Sequence, residues 1–459
     1  MTELHKKCAH ELAAMIRAKD VSSREVVQAH LDRIDQVNGE VNAVVVVMAD
    51  EALAAADKAD ASEPVGAFHG VPFTVKENID FAGKPTTNGV PAFADALPVG
   101  DAPVVARMKA AGAVPIGRTN MPEMGLRLST DNPLRGRTLN PWNKDLTAGG
   151  SSGGEGVALA TGMTPFGLGN DIGGSLRNPA YCNGITSLKP TAGRIPHVQS
   201  IDPQDGGMAV QAMLVEGPMT RSVTDLKIGL EVLSGRDIRD PVSVDVPLQG
   251  PPAPKKAALV TDIPGGPVPA ATIAEIERAG EILKAAGWQV DHAEPPELAR
   301  VSEIWGFVLA ADFSVLLPVL EHVLTPPLHT VIGQLCDEFA PSKITSPELH
   351  ADRARLSRLW SAFFETYPVV IGPTWTCTPW PADADLDPNT GLRTVEDTVR
   401  FITPGNALGL PSVALPMGVA DGLPTGIQIY ADRWREDLCL EAAGIVEAGV
   451  TCPTPIDPR

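Results

Sequence analysis

The sequence predicts one large α/β domain, with a twisted sheet between layers of helix. Three observations carry this expectation. The N-terminal third alternates helical and strand-like segments, a β-α-β unit follows a proline-rich joint near residue 250, and short apolar runs that suit buried strands recur as far as residue 416.

Ser22-Ser23-Arg24-Glu25 reads as a capping box, in which a hydroxyl and a carboxylate three positions apart satisfy the free amides of a helix start. Val26, Val27, Leu31 and Ile34 follow at helical spacing. Residues 52–59 are alanine-rich and helical, and 71–75 are apolar and strand-like. Asp101 is placed to cap a helix running through Ala110, with a strand over 113–117 behind it. Residues 148–196 are dense in glycine. The expectation there is a loop, a helix over 153–161, a short buried strand over 165–169, and a second loop. Residues 250–254 resemble a linker. The strand at 257–260, helix at 271–286 and strand at 288–290 nevertheless extend the same sheet most naturally. Residues 300–365 read as helix carrying bulky side chains, and 369–373 and 412–416 as late strands.

A chain of 459 residues buries a sizeable core without covalent staples. A net charge of −19 argues against a nucleic-acid partner, which needs a basic footprint, and fits a role in solubility. The six cysteines are scattered, with no C-x-x-C pair, which fits free thiols in a reducing compartment. The first 20 residues hold no signal-peptide core, and no run reads as long enough to cross a bilayer, so the expected location is cytoplasmic.

Two glycine-serine clusters concentrate the chemistry: Gly149-Gly150-Ser151-Ser152-Gly153-Gly154 and Asp171-Ile172-Gly173-Gly174-Ser175. Glycine lets backbone approach a ligand closely, so Gly149 and Gly150 are candidates to border substrate. Lys76 ends the apolar run Phe73-Thr74-Val75. A serine hydroxyl attacks a carbonyl only if a base takes its proton, and lysine is a base only when neutral. Complete burial lowers an amine's pKa by up to about 3–5 pH units, and a second hydroxyl can relay a proton because it both donates and accepts. Consecutive amides of Ile172, Gly173, Gly174 and Ser175 offer a nest for a developing oxyanion.

These motifs resemble the amidase signature hydrolases: Gly70-Val71-Pro72 leading to Lys76, then the two glycine-serine clusters. Thr119-Asn120-Met121-Pro122-Glu123, Leu188-Lys189-Pro190-Thr191 and Leu423-Pro424-Thr425-Gly426 agree, and the resemblance spans roughly residues 20–450. It implies a mixed twisted sheet in a single domain over 1–459, with N-terminal helices to 62, a signature core over 63–250, and a second half over 251–459 whose helical stretch at about 300–365 borders the substrate pocket. It implies Ser175 as nucleophile, Ser151 as bridging serine after a cis Gly150–Ser151 peptide, and Lys76 as base. Ile172, Gly173, Gly174 and Ser175 would form the oxyanion hole, with Asp171 and Arg177 organising the loop. Met124, Gly125 and Leu126, with Leu128, would border the acyl site. No cofactor or metal is required. Three positions depart from the pattern: Asn170 stands for threonine or serine, Ser187 for glycine, and Glu155 for a small residue.

Other readings stay beside this one. Gly150-Ser151-Ser152-Gly153-Gly154 also matches the G-x-S-x-G nucleophile elbow, with Ser152 as nucleophile and His292, His322, His329 or His350 as base. Gly167, Gly169 and Gly173 imitate a dinucleotide fingerprint with the last glycine one residue late. Trp305, Phe307 and Phe313 read as core rather than pocket lining, and Cys182 as a small packing residue. The resemblance implies cleavage of a small neutral amide, hydrophobic or aryl. A carbamate or ester hydrolase is the alternative, and an amidotransferase A-type subunit an alternative of another class. A monomer or homodimer without membrane contact is expected.

Overall fold

The structure, a computed structural model, describes residues 3–201 and 205–459. Its centre is a mixed sheet of eleven strands among the described residues. In chain order these are β1 Val44–Val47, β2 Pro72–Lys76, β3 Val114–Thr119, β4 Phe166–Asp171, β5 Thr186–Lys189, β6 Val215–Thr220, β7 Lys256–Leu259, β8 Gln289–His292, β9 Val369–Pro373, β10 Ser412–Ala420 and β11 Leu423–Tyr430. Their order across the sheet is β1-β3-β2-β4-β6-β5-β10-β11-β9-β7-β8. The helices are α1 Ala9–Ala18, α2 Ser23–Val41, α3 Ala49–Asp60, α4 Pro103–Ala110, α5 Gly153–Ala160, α6 Arg177–Asn183, α7 Met208–Met213 and α8 Val223–Leu233, followed by α9 Ala270–Ala285, α10 Leu298–Leu320, α11 Pro326–Glu338, α12 Ser346–Thr366, α13 Gly391–Val399, α14 Thr403–Ala407 and α15 Glu436–Glu447.

β2 runs parallel to both β3 and β4, and all five of its residues are buried. That explains the near-continuous apolar run of Pro72, Phe73 and Val75, since a strand covered on both faces has no wet side. Strand alternation divides the core between the two faces. Ala257, Leu259, Val369 and Ile371 join the cluster beneath α9 and α15, whereas Ala258, Val260 and Val370 join the cluster beneath α10 and α12. The proline-rich joint near residue 250 therefore connects two parts of one sheet, because β7, β8 and β9 continue it in parallel.

The capping box of α2 forms: Ser22 Oγ accepts from the Glu25 amide at 3.1 Å, and Glu25 Oε2 accepts from the Ser22 amide at 2.7 Å. Two expectations are corrected. Asp101 does not cap α4. Its carboxylate takes Lys109 at 2.8 Å and the Ala82 amide at 2.9 Å, and α4 starts on Pro103, whose fixed φ suits a first turn. Among the described residues there is also one helix, α10, that is long and apolar enough by length and composition to cross a membrane. Here α10 packs against α11, α12 and α14, and its Asp312 accepts from the Met208 and Ala209 amides at the start of α7. All six cysteines are free.

Candidate active site

The parallel strands β2 and β4 end side by side, and each delivers a charged residue at its carboxyl end: Lys76 from β2 and Asp171 from β4. Ligands in open α/β sheets gather outside these strand ends. A cleft of about 790 Å³ opens there, and Ser151, Ser175 and Asn170 all line it.

Lys76 is fully buried. Its Nζ lies 2.6 Å from Ser151 Oγ and donates to Asn170 Oδ1 at 2.7 Å. Asn170 Nδ2 in turn donates to Asn78 Oδ1 at 3.1 Å. Loss of water around the ammonium pushes Lys76 down to about 7, against the opposing pull of Glu216, Asp171 and Glu155. Glu155, the departure noted in the first glycine loop, is buried on the same side of β2. Thr74 Oγ1 donates to it at 2.6 Å and Thr119 Oγ1 at 2.7 Å, and Thr74 and Lys76 share a strand face. Burial pushes the Glu155 carboxyl up to about 8. Lysine and glutamate thus sit beneath the cleft with little net charge between them near neutral pH.

Ser151 is held by close backbone packing. The Gly150–Ser151 peptide is cis. A methyl group on Gly150 would lie 2.5 Å from the Arg127 carbonyl oxygen, so only glycine fits. Asn178 Nδ2 donates to Gly150 O at 3.1 Å, and Trp375 Nε1 fixes Asn178 through its Oδ1 at 2.8 Å. The Ser152 amide donates to Ser175 O at 3.2 Å, which ties the two glycine-serine loops together.

The turn after β4 is built around Asp171. Arg177 donates to both of its oxygens, at 3.1 and 3.0 Å, and Asn406 Nδ2 adds a bond at 2.9 Å. The remaining Arg177 donors reach Ile402 O, Gln428 Oε1, Tyr430 Oη and Asn406 Oδ1, so the buried guanidinium is fully engaged. Burial alone works to raise the Asp171 carboxyl, but Arg177 outweighs it and holds Asp171 well below the usual carboxylate range. The same carboxylate accepts from the Gly174 amide at 2.8 Å and the Leu176 amide at 3.2 Å. Of the four amides expected to form the oxyanion nest, that of Gly174 is thus bonded to Asp171. The amides of Ile172, Gly173 and Ser175 have no acceptor among the described residues.

Met124, Gly125 and Leu126 line the cleft, and a methyl group on Gly125 would lie 3.4 Å from Ser151 Oγ. Gly149 and Gly150 do not line it, contrary to expectation. They pack against Pro179 and the 127–129 backbone and serve to aim Ser151. Leu128 is buried in the core. Ser152 is fully buried outside the cleft, and none of His292, His322, His329 or His350 is bonded to it, so the elbow reading fails. Of the imitated dinucleotide glycines, Gly167 and Gly169 lie within β4, and only Gly173 stands in the turn that leads to α6. Among the described residues no group of three or more His, Cys, Asp or Glu side chains is placed to hold a metal.

A family model described as Amidase matches residues 25–440. Indoleacetamide hydrolase of Bradyrhizobium diazoefficiens is 40% identical, covering 96% of this chain and 86% of its own length. Acylamidase of Rhodococcus erythropolis is 31% identical, covering 98% and 97%. The solved structure of a bacterial aryl acylamidase of the amidase signature family superposes with a TM-score of 0.82 at 28% identity, over 97% of each chain. The motif, the mixed sheet and these relatives agree: the chain belongs to the amidase signature family and is an amide hydrolase.

Proposed function

We propose that the protein cleaves neutral aryl or arylalkyl amides through an acyl-enzyme on Ser175. Ser175 Oγ attacks the carbonyl carbon, and its proton passes through Ser151 Oγ to the neutral amine of Lys76. The carbonyl oxygen takes up charge against the unspent amides of the 171–175 turn, and donors preset in a dry site stabilise such charge strongly. The tetrahedral species expels the amine, which takes the proton back along the same path. Water then repeats the attack on the ester and frees the acid and Ser175. Asp171 and Arg177 shape the turn and do no chemistry.

One observation carries this reading: a fully buried lysine within hydrogen-bond reach of a serine that shares a cleft with a second serine. The substrate class is supported by the apolar walls around Ser175, with Met124, Leu126, Leu309 and Phe313 among them, and by the likeness to an indoleacetamide hydrolase. A panel of arylacetamides, anilides, aryl carbamates and glutamine tests it. The expected order puts the aryl amides first by kcat/KM and glutamine last. Glutamine turned over as fast as an arylacetamide would overturn the assignment.

A further inference from the structure

Trp305 reads from the sequence as ordinary core on a helix. Its indole Nε1 instead donates to the Ile172 carbonyl oxygen at 2.9 Å, across 133 positions of sequence. The peptide between Ile172 and Gly173 is planar, so its C=O and N–H point in opposite directions. Ile172 and Ser175 line the cleft and Trp305 does not. The Gly173 N–H therefore points away from the indole, and it has no acceptor among the described residues. The ring also limits the other half of the unit: a methyl group on Gly173 would lie 2.7 Å from Trp305 Cζ2.

The indole is held firmly. Trp305 is 8% exposed. One turn earlier on α10, Ser302 Oγ bonds Arg400 O at 3.1 Å and Thr403 Oγ1 at 2.8 Å. Two turns later Asp312 is pinned to α7. The same helix lines the cleft with Leu309, Phe313 and Leu316. A single rod thus carries both a wall of the substrate seat and the clamp on the turn.

We infer that Trp305 is a positioning residue for catalysis: its indole N–H locks the Ile172–Gly173 peptide so that the Gly173 amide is aimed at the developing oxyanion. The inference rests on the reading of Ser175 as nucleophile. A donor aimed at charge that exists only in the transition state affects kcat, not ground-state binding. Losing such a donor outright costs about 10²–10³ in rate, and letting it swing costs part of that.

Two variants test the clamp. Trp305→Phe removes the N–H and part of the ring. Replacing Trp305 by 3-benzothienylalanine removes only the N–H and preserves the shape, so it decides the matter if the phenylalanine variant fails to fold. The expected result is a fall in kcat of about tenfold or more with KM changed less than about twofold. Affinity for an aryl trifluoromethyl ketone, which forms an oxyanion on the enzyme, should fall by the same factor, while affinity for the product acid holds. A parental kcat in the benzothienyl variant, or a loss residing wholly in KM, overturns the inference. Ser175→Ala is assayed alongside. An inactive Ser175→Ala with a parental Trp305 variant removes the clamp alone, whereas an active Ser175→Ala removes the nucleophile assignment itself.

Discussion

The rate of hydrolysis should follow the charge of one buried amine. In the proposed mechanism Lys76 must be neutral to accept a proton through Ser151, and burial lowers it from 10.5 to about 7. Below that value each pH unit costs a factor of ten, so about a tenth of the enzyme is competent at pH 6 and about a hundredth at pH 5. An amine left at 10.5 would hold less than about a thousandth of the enzyme competent at pH 7. The assay is kcat/KM for a chromogenic anilide between pH 5 and 9.5, which reports free-enzyme ionisations. A single rising limb with its midpoint near 7 and a plateau above about 8.5 is expected. Asp171, held well below the carboxylate range by Arg177, stays ionised throughout and adds no limb. His197 also lines the cleft, and although burial pulls it down, its bond to Glu216 lifts it above 6.5. Replacing it by asparagine should leave the limb in place. A flat profile, a midpoint near 10, or a rate that falls as pH rises through 7 would refute the role given to Lys76.

Asp171→Asn strips the charge from a fully buried pair and leaves Arg177 uncompensated. It should lose about 3–5 kcal/mol in urea unfolding, and a loss below about 1 kcal/mol would contradict the load placed on that carboxylate. Lys76→Met should abolish turnover without destabilising the protein at pH 7. Keeping the amine neutral there costs up to about 5 kcal/mol relative to the unfolded chain, and Ser151 and Asn170 each lose a partner worth about 1–3 kcal/mol. The unfolded chain holds a proton that the native state lacks between about 7 and 10.5, so the native enzyme gains stability as pH rises through that window and the methionine variant's advantage shrinks. A urea midpoint well below the parent's at pH 7 would contradict this.

The candidate site was legible where the proposed chemistry needs unusual local sequence. Lys76 stands out because a charge ends an apolar strand, and the serines stand out because glycines surround them. The supporting shell was not legible, because its contacts join residues far apart in the chain. Nothing near Trp305 announces its bond to Ile172, and nothing near Asn178 announces its grip on Gly150. Asn170 and Glu155 were visible only as departures from a pattern, yet they hold Lys76 and lie beneath it. The fold shows the same division. Strands with apolar runs, such as β2 and β9, were readable. β6 was not: Val215-Glu-Gly-Pro-Met-Thr carries a proline and a glycine inside a strand paired on both sides, a composition that argues against a central strand. β5 was missed because its buried Thr186-Ser-Leu-Lys lacks an apolar pattern. In both, tertiary burial overrides local propensity.

The central claim is that two hydroxyls play different parts, Ser175 bonding to the acyl group and Ser151 only passing its proton. Mass spectrometry of enzyme quenched during turnover of a slow aryl ester, or labelled with an aryl fluorophosphonate, reads this directly. The account predicts a single adduct on Ser175, lost in Ser175→Ala and strongly slowed in Lys76→Ala. An adduct on Ser151 or Ser152 in the parent enzyme, with Ser175 unmodified, would contradict it.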